Sequence, residues 1–239
     1  MTQLNVNAIE PAGATLTIGE SGDTVKANDS VNVNTVKDAG GNTIWVSNGS
    51  GVLSSVNSAF GDALVLLSTQ TASGDSEIDF TSDIDSTYKE YVFKFINIHP
   101  ETDAVFWRWQ ASTDSGSNYD TTCTSTTFRT YHREDGSDSA LGYFASADAA
   151  QSTSMINLAG NIGNDSDQSL SGAVHLFNPS STTYVKNWYF TGQFCEYGDY
   201  SMEYYSAGYY NTTSAIDAIR FNMTSGNTDA GTIKMYGVK

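Results

Sequence analysis

The chain has 239 residues, room for one large domain or two modest ones. Only 16% of them are charged, 12% are aromatic, and runs of Ala, Leu, Glu and Lys are absent, which excludes a disordered chain and a helical bundle or coiled coil. A net charge of −16 sets the chain against nucleic acid and anionic membrane surfaces, since affinity for both comes largely from Lys and Arg.

Residues 1–60 form the first region. Trp45 is its one aromatic before Phe60, and Gly, Asn, Ser, Thr and Val dominate. Short β-like pieces, TLTI at 15–18 and NTIWV at 42–46, alternate with Gly- and Asn-rich turn signals such as Gly40–Gly41–Asn42 and Asn48–Gly49–Ser50. Leu16, Ile18, Ile44, Trp45 and Val46 are its candidate contact residues. They are too few to build a core, so the segment reads either as a flexible tail or as an extended, turn-rich β arm ordered by copies of itself or by a larger assembly. The opening MTQLNVNAIEP has no basic stretch followed by an apolar one, so no secretory signal is expected. No apolar run approaches the ~18 residues of a membrane span, so no membrane insertion is expected.

From residue 61 to 239 the pattern becomes aromatic-rich and alternating. ALVLLST at 63–69 reads as a buried strand, and SEIDF at 76–80 places Ile78 and Phe80 on one face. EYVFKFINIH at 90–99 puts Tyr91, Phe93 and Phe95 on one face, and Pro100 ends it. AVFWRWQAS at 104–112 aligns Val105, Trp107 and Trp109, and the two strands read as a hairpin around residues 100–103. Strands are also expected over 121–133, 169–177, 184–197 and 216–223. A last strand at 232–236 is read as closing a hairpin with the one before it. Nine or ten strands of this spacing, with no more than a turn of helix near 148–151, predict an all-β body: an antiparallel β-sandwich, jelly-roll-like.

The chemistry-bearing residues are sparse. His99, His132 and His175 are far apart and have no metal-binding spacing. There is no G-x-S-x-G and no phosphate-binding loop, so no cofactor is expected. Cys123 and Cys195 fit two buried thiols or a single disulfide. The acid pairs Asp83 with Asp85, Asp114 with Asp120, and Asp165 with Asp167 read as solvated loops or as weak cation ligands. Glu196, Asp199 and Glu203 cluster in sequence, and a glycosidase needs two carboxylates facing across one bond. The densest feature is YGDYSMEYYSAGYY, with Tyr197, Tyr200, Tyr204, Tyr205, Tyr209 and Tyr210 in 14 residues and Trp188 just upstream. Tyrosine joins a flat apolar face to a polar tip, so the stretch reads as a surface for sugar or protein, or as alternating core and subunit-contact residues.

Several segments are familiar in combination. TLTIGESGDTV at 15–25 and TVKDAGGNTIWVSNGSGVLSSVN at 35–57 resemble short modules of virion-appendage proteins of tailed phages, above all marine and cyanobacterial ones. IDSTYKEYVFKFINIHP at 84–100, HLFNPSSTTYVKNWYF at 175–190 and AGTIKMYGVK at 230–239 resemble the bodies of the same group of tail fibres, head fibres and decoration proteins. The resemblance implies a non-enzymatic virion protein, assembled in the host cytoplasm as a homotrimer. Its N-terminal arm would bind other virion proteins, and its head would meet a host surface glycan or protein. A capsid-decorating protein is the alternative, and a glycan-cleaving tailspike a third reading, against which the lack of a repeat period weighs.

Overall fold

A computed structural model describes residues 33–38, 40–50, 52–56 and 63–239. The chain divides into two compact units, Met1–Gly61 and Asp62–Lys239.

In the first unit, β1 (Thr35–Lys37), β2 (Thr43–Ser47) and β3 (Leu53–Val56) form an antiparallel three-stranded meander. Its turns are built by the predicted residues. The Asp38 carboxylate accepts the Asn42 backbone N–H at 2.8 Å, and Gly41 takes a φ of 82° that disfavours any side chain. Ile44, Trp45 and Val46 lie half-buried on the central strand; Leu16 and Ile18 lie outside the described residues. None of the described residues of this unit is buried.

The second unit is antiparallel throughout. Its strands are β4 (Leu64–Ala72), β5 (Ile78–Phe80), β6 (Glu90–Pro100), β7 (Val105–Ser112), β8 (Cys123–Arg133) and β9 (Ser139–Tyr143). They continue with β10 (Ile156–Ile162), β11 (Leu170–Phe177), β12 (Lys186–Glu196), β13 (Tyr200–Tyr210), β14 (Ala218–Met223) and β15 (Thr228–Val238). Eight strands make one sheet in the order β4-β15-β6-β11-β12-β13-β8-β9, and four make another, β10-β7-β14-β5. The two sheets join at one corner, where Ile162 pairs with Glu196 at the end of β12. On the far side Gln70 of β4 reaches the carbonyl of Asp79 in β5 at 3.4 Å. The large sheet thus curls over the small one into a sandwich that approaches a barrel.

Alternation explains the core. Along β12 the residues Lys186, Trp188, Phe190, Gly192, Phe194 and Glu196 all face inward and are buried. Trp107, Trp109, Phe93, Phe95, Trp188, Phe221 and Ile233 are buried as the alternation requires. Rings from both sheets interlock, with Phe95 packing 5.2 Å from Phe221 and Trp109 5.1 Å from Trp188.

Two expected hairpins do not form. β6 pairs with β11 and β15, whereas β7 pairs with β10 and β14. β14 pairs with β5 and β7, whereas β15 pairs with β4 and β6. Both connections are arches that carry the chain from one sheet to the other. A turn signal marks a reversal but not which strand receives it. The strand over 63–69 is an edge with Leu66 exposed, not a buried strand, because β15 covers one side of its ladder only. The described residues of the unit hold twelve strands, more than the nine or ten expected, and a turn of 3-10 helix at Ala145–Ala147.

Candidate functional site

The corner where β10 meets β12 opens a cleft. It lies where β12, β13 and β8 end together, Glu196 pairing with Tyr200 and Tyr200 with Arg133, beside the Ile162–Glu196 pair that ties in β10. The β12–β13 hairpin closes through Tyr197–Asp199, with Asp199 in the left-handed region at φ 63° and its N–H bonded to the Glu196 carbonyl at 2.9 Å. The opposite wall is Asn161, also left-handed at φ 63°, whose carbonyl accepts the Tyr197 N–H at 3.2 Å. The cleft has a volume of about 270 Å³. Arg129 and Tyr131 of β8, Glu196 of β12, and Tyr200 and Met202 of β13 line it, with Asp138, Asn161, Tyr197 and Gly198 at its edges.

Each polar group here is held. The Arg129 guanidinium lies 3.9 Å from the Phe144 ring and donates to the Tyr204 hydroxyl at 2.9 Å. No carboxylate lies within ion-pair distance of it among the described residues. Glu196 is buried, accepts the Gly198 N–H at 2.7 Å, and has its carboxyl pushed above the usual range by burial. Tyr131 and Tyr200 meet edge to face, ring centres 5.6 Å apart, and the Tyr200 hydroxyl donates to Asp138 at 3.4 Å. The site therefore offers a cation, two acids and three aromatic rings in one concavity.

The tyrosine-rich stretch splits by parity, all of its tyrosines but Tyr197 lying on β13. Tyr200, Tyr204 and Tyr210 face inward with Trp188, and of these Tyr204, Tyr210 and Trp188 are buried in the core. As receptor contacts those three are corrected: period-two alternation turns them away from solvent. Tyr205 and Tyr209 face outward, where Tyr205 stacks on Phe128 at 4.8 Å. Tyr197 sits on the hairpin, half-exposed. Only Tyr197 and Tyr200 line the cleft; Tyr204 contributes through Arg129.

The expected acid cluster is also divided. Glu203 lies on the outer face, accepting the Tyr205 hydroxyl at 2.7 Å, whereas Glu196 points inward. The two point to opposite sides of one sheet and cannot flank one bond, and Asp199 is exposed on the turn. Asp85 and Asp114 serve their own turns: Asp85 accepts the Thr87 N–H, and Asp114 the Asn118 N–H and the Ser112 hydroxyl. Hydrogen bonds hold both carboxyls below the usual range, chiefly the Asn118 side-chain amide at Asp114 and the Thr87 N–H at Asp85. Among the described residues no group of three or more His, Cys, Asp or Glu side chains is placed to hold a metal ion. No helix among them is long and apolar enough to cross a membrane. The cysteines are unpaired thiols rather than a disulfide; Cys123 is buried and pushed up to about 12 by burial, and Cys195 is half-buried.

Sequence reading missed Arg129. Its signal is parity: Cys123, Ser125 and Thr127 face inward on β8, so the next residue in phase is an inward-facing cation. Comparison of the chain with protein-family models, with curated sequences and with solved structures finds no match.

Proposed function

We propose that this chain is a non-enzymatic appendage protein of a tailed-phage particle, a homotrimer anchored through residues 1–60 and meeting the host surface with its β-sandwich head. The observation that carries the reading is a division of labour. The head owns a continuous aromatic core, whereas no described residue of the N-terminal unit is buried and Ile44, Trp45 and Val46 stay half-exposed. Three strands are independently stable only with a buried apolar face, which the described residues here lack, so a partner surface would supply the stability. Three copies around one axis would give each apolar strip equivalent neighbours. Further support comes from where the phage-like segments lie: 84–100 holds β6, 175–190 the end of β11 and the start of β12, and 230–239 most of β15, four strands adjacent in the large sheet.

Deleting residues 1–60 tests this directly. The head is expected to remain a soluble β protein and to be lost from particles, while the full chain runs as a trimer by light scattering. Normal incorporation of the truncated head sinks the anchor role, and a monomeric full chain sinks the trimer. Copies per particle, counted in an electron-microscopy map, separate a tail appendage at a few from a capsid decoration at hundreds.

A further inference from the structure

We propose that the cleft at the sheet corner binds one neutral sugar residue in its pyranose form, with Arg129, Glu196 and Tyr200 as its principal contacts. Size comes first. At about 270 Å³ the cleft falls just below the usual span of small-molecule sites, ~300–1,000 Å³. It suits one sugar ring and not an extended chain or a folded partner.

The chemistry of the walls narrows the class. Arg129 makes no close ion pair among the described residues, and although its charge is felt by Glu196, a cationic ligand would meet a guanidinium inside the cleft. Glu196 and Asp138 line the same space, so a phosphate or carboxylate ligand would meet two acids. A neutral polyol avoids both conflicts. Each sugar hydroxyl donates and accepts, and therefore wants donors and acceptors interleaved around it. Arg129 and Asn161 are the donors here, Glu196 and Asp138 the acceptors. The apolar C–H face of a pyranose needs an aromatic plane, which the edge-to-face pair Tyr131 and Tyr200 supplies, with Tyr197 at the rim.

The groups are also held before any ligand arrives. Arg129 is pinned between Phe144 and the Tyr204 hydroxyl, and Glu196 by the Gly198 N–H. Binding then costs little side-chain ordering, the condition under which a small ligand is retained at all. Left-handed Asn161 and Asp199, one on each wall, fix the backbone at the mouth.

The inference deepens the host-contact reading and rests on it for the source of the sugar, but the two fail separately. The test titrates the full chain with methyl glycosides of glucose, galactose, mannose and N-acetylglucosamine. Glucuronic acid and glucose 6-phosphate form the anionic arm, and saturation-transfer NMR is the readout. At least one neutral glycoside is expected to saturate the protein at millimolar concentration. Glu196→Gln and Tyr200→Ala should each weaken it roughly tenfold, the scale of one lost charged hydrogen bond or stacking contact. Tyr209→Ser, on the outer face, should leave it unchanged. If Tyr200→Ala loses the native near-ultraviolet dichroism, half-exposed Tyr197→Ala takes its place. Binding by no neutral glycoside, binding by the anionic sugars alone, or equal weakening by Tyr209→Ser overturns the assignment. Glycoside binding by a chain that does not adsorb to host cells leaves the cleft standing and removes the host-contact reading; adsorption without glycoside binding does the reverse.

Discussion

Phe221 holds the sandwich together, and removing its ring gives the sharpest test of how the two sheets adhere. It is fully buried on β14. Within its own sheet it stacks on Trp107 at 5.6 Å and Trp109 at 6.2 Å and meets Phe80 at 6.1 Å. Across the interface it touches Phe93 at 5.4 Å and Phe95 at 5.2 Å. Phe-to-Ala changes in cores cost ~3–5 kcal/mol, transfer and cavity together. Each aromatic pair adds ~0.5–1.5 kcal/mol, not additively. With five ring partners, Phe221→Ala should fall at the upper end, about 4–5 kcal/mol, lowering Tm by roughly 10–15 °C at ~2–4 °C per kcal/mol. Phe221→Leu keeps most of the volume and should cost about 1.5 kcal/mol. Urea unfolding followed by near-ultraviolet dichroism reads both, since the neighbouring tryptophans report on this layer. A loss under about 1 kcal/mol for the alanine variant at unchanged m-value, or equal losses for alanine and leucine, would refute the idea that inter-sheet ring packing dominates.

Phe128→Ala removes a ring on the outer face that is half-exposed, and should cost under about 1 kcal/mol by the same measurement. Gly172→Ala would place a Cβ 2.4 Å from the Thr191 carbonyl oxygen and 2.6 Å from Gly192 Cα, both backbone, so a loss of ~1–3 kcal/mol is expected; Gly142→Ala, with open space around it, should be neutral in the same melts. Arg220 grips Asp79 through two bonds at 2.8 and 2.7 Å, so Asp79→Ala should cost ~1–3 kcal/mol in chemical denaturation. Glu196 has a raised folded pKa, so its contribution is fully present below the ordinary carboxyl value near 4.5 and is lost as pH rises through the folded value. Glu196→Gln should therefore match the parent at pH ~4 and be the more stable of the two at pH ~7, read as a difference in Tm.

The long strands were written plainly in the sequence because each carries its own alternation: β6, β7, β12 and β14 bury the side chains that period two assigns them. Strand pairing was not, because a Pro- or Gly-rich reversal looks alike whether the chain returns beside itself or crosses a core. β9 escaped notice since SALGY is exposed along its whole length, and β10 since INLAGNI is too small and apolar to alternate. The tyrosine stretch drew attention as a cluster, but spacing along one strand divides it between two faces. The cleft itself depends on Asn161 meeting Glu196 and Tyr197 from a distant strand, a long-range pairing that no local pattern encodes.

The position of β15 bears on how the head is made. It lies between β4 and β6 in the large sheet, so the earliest and latest strands of the head are neighbours. During vectorial synthesis β4 and β6 leave the ribosome with that slot empty, and at ~5–20 residues per second β6 waits roughly 6–25 seconds for β15. Meanwhile Phe93 and Phe95 have no finished sheet to bury them, and two open edges face any similar chain nearby. On a polysome the nearest similar chains are sisters from the same message. Nascent heads are thus most exposed to misassembly when many copies are translated together, and a chaperone that shields β6 until β15 arrives should raise the yield of native protein.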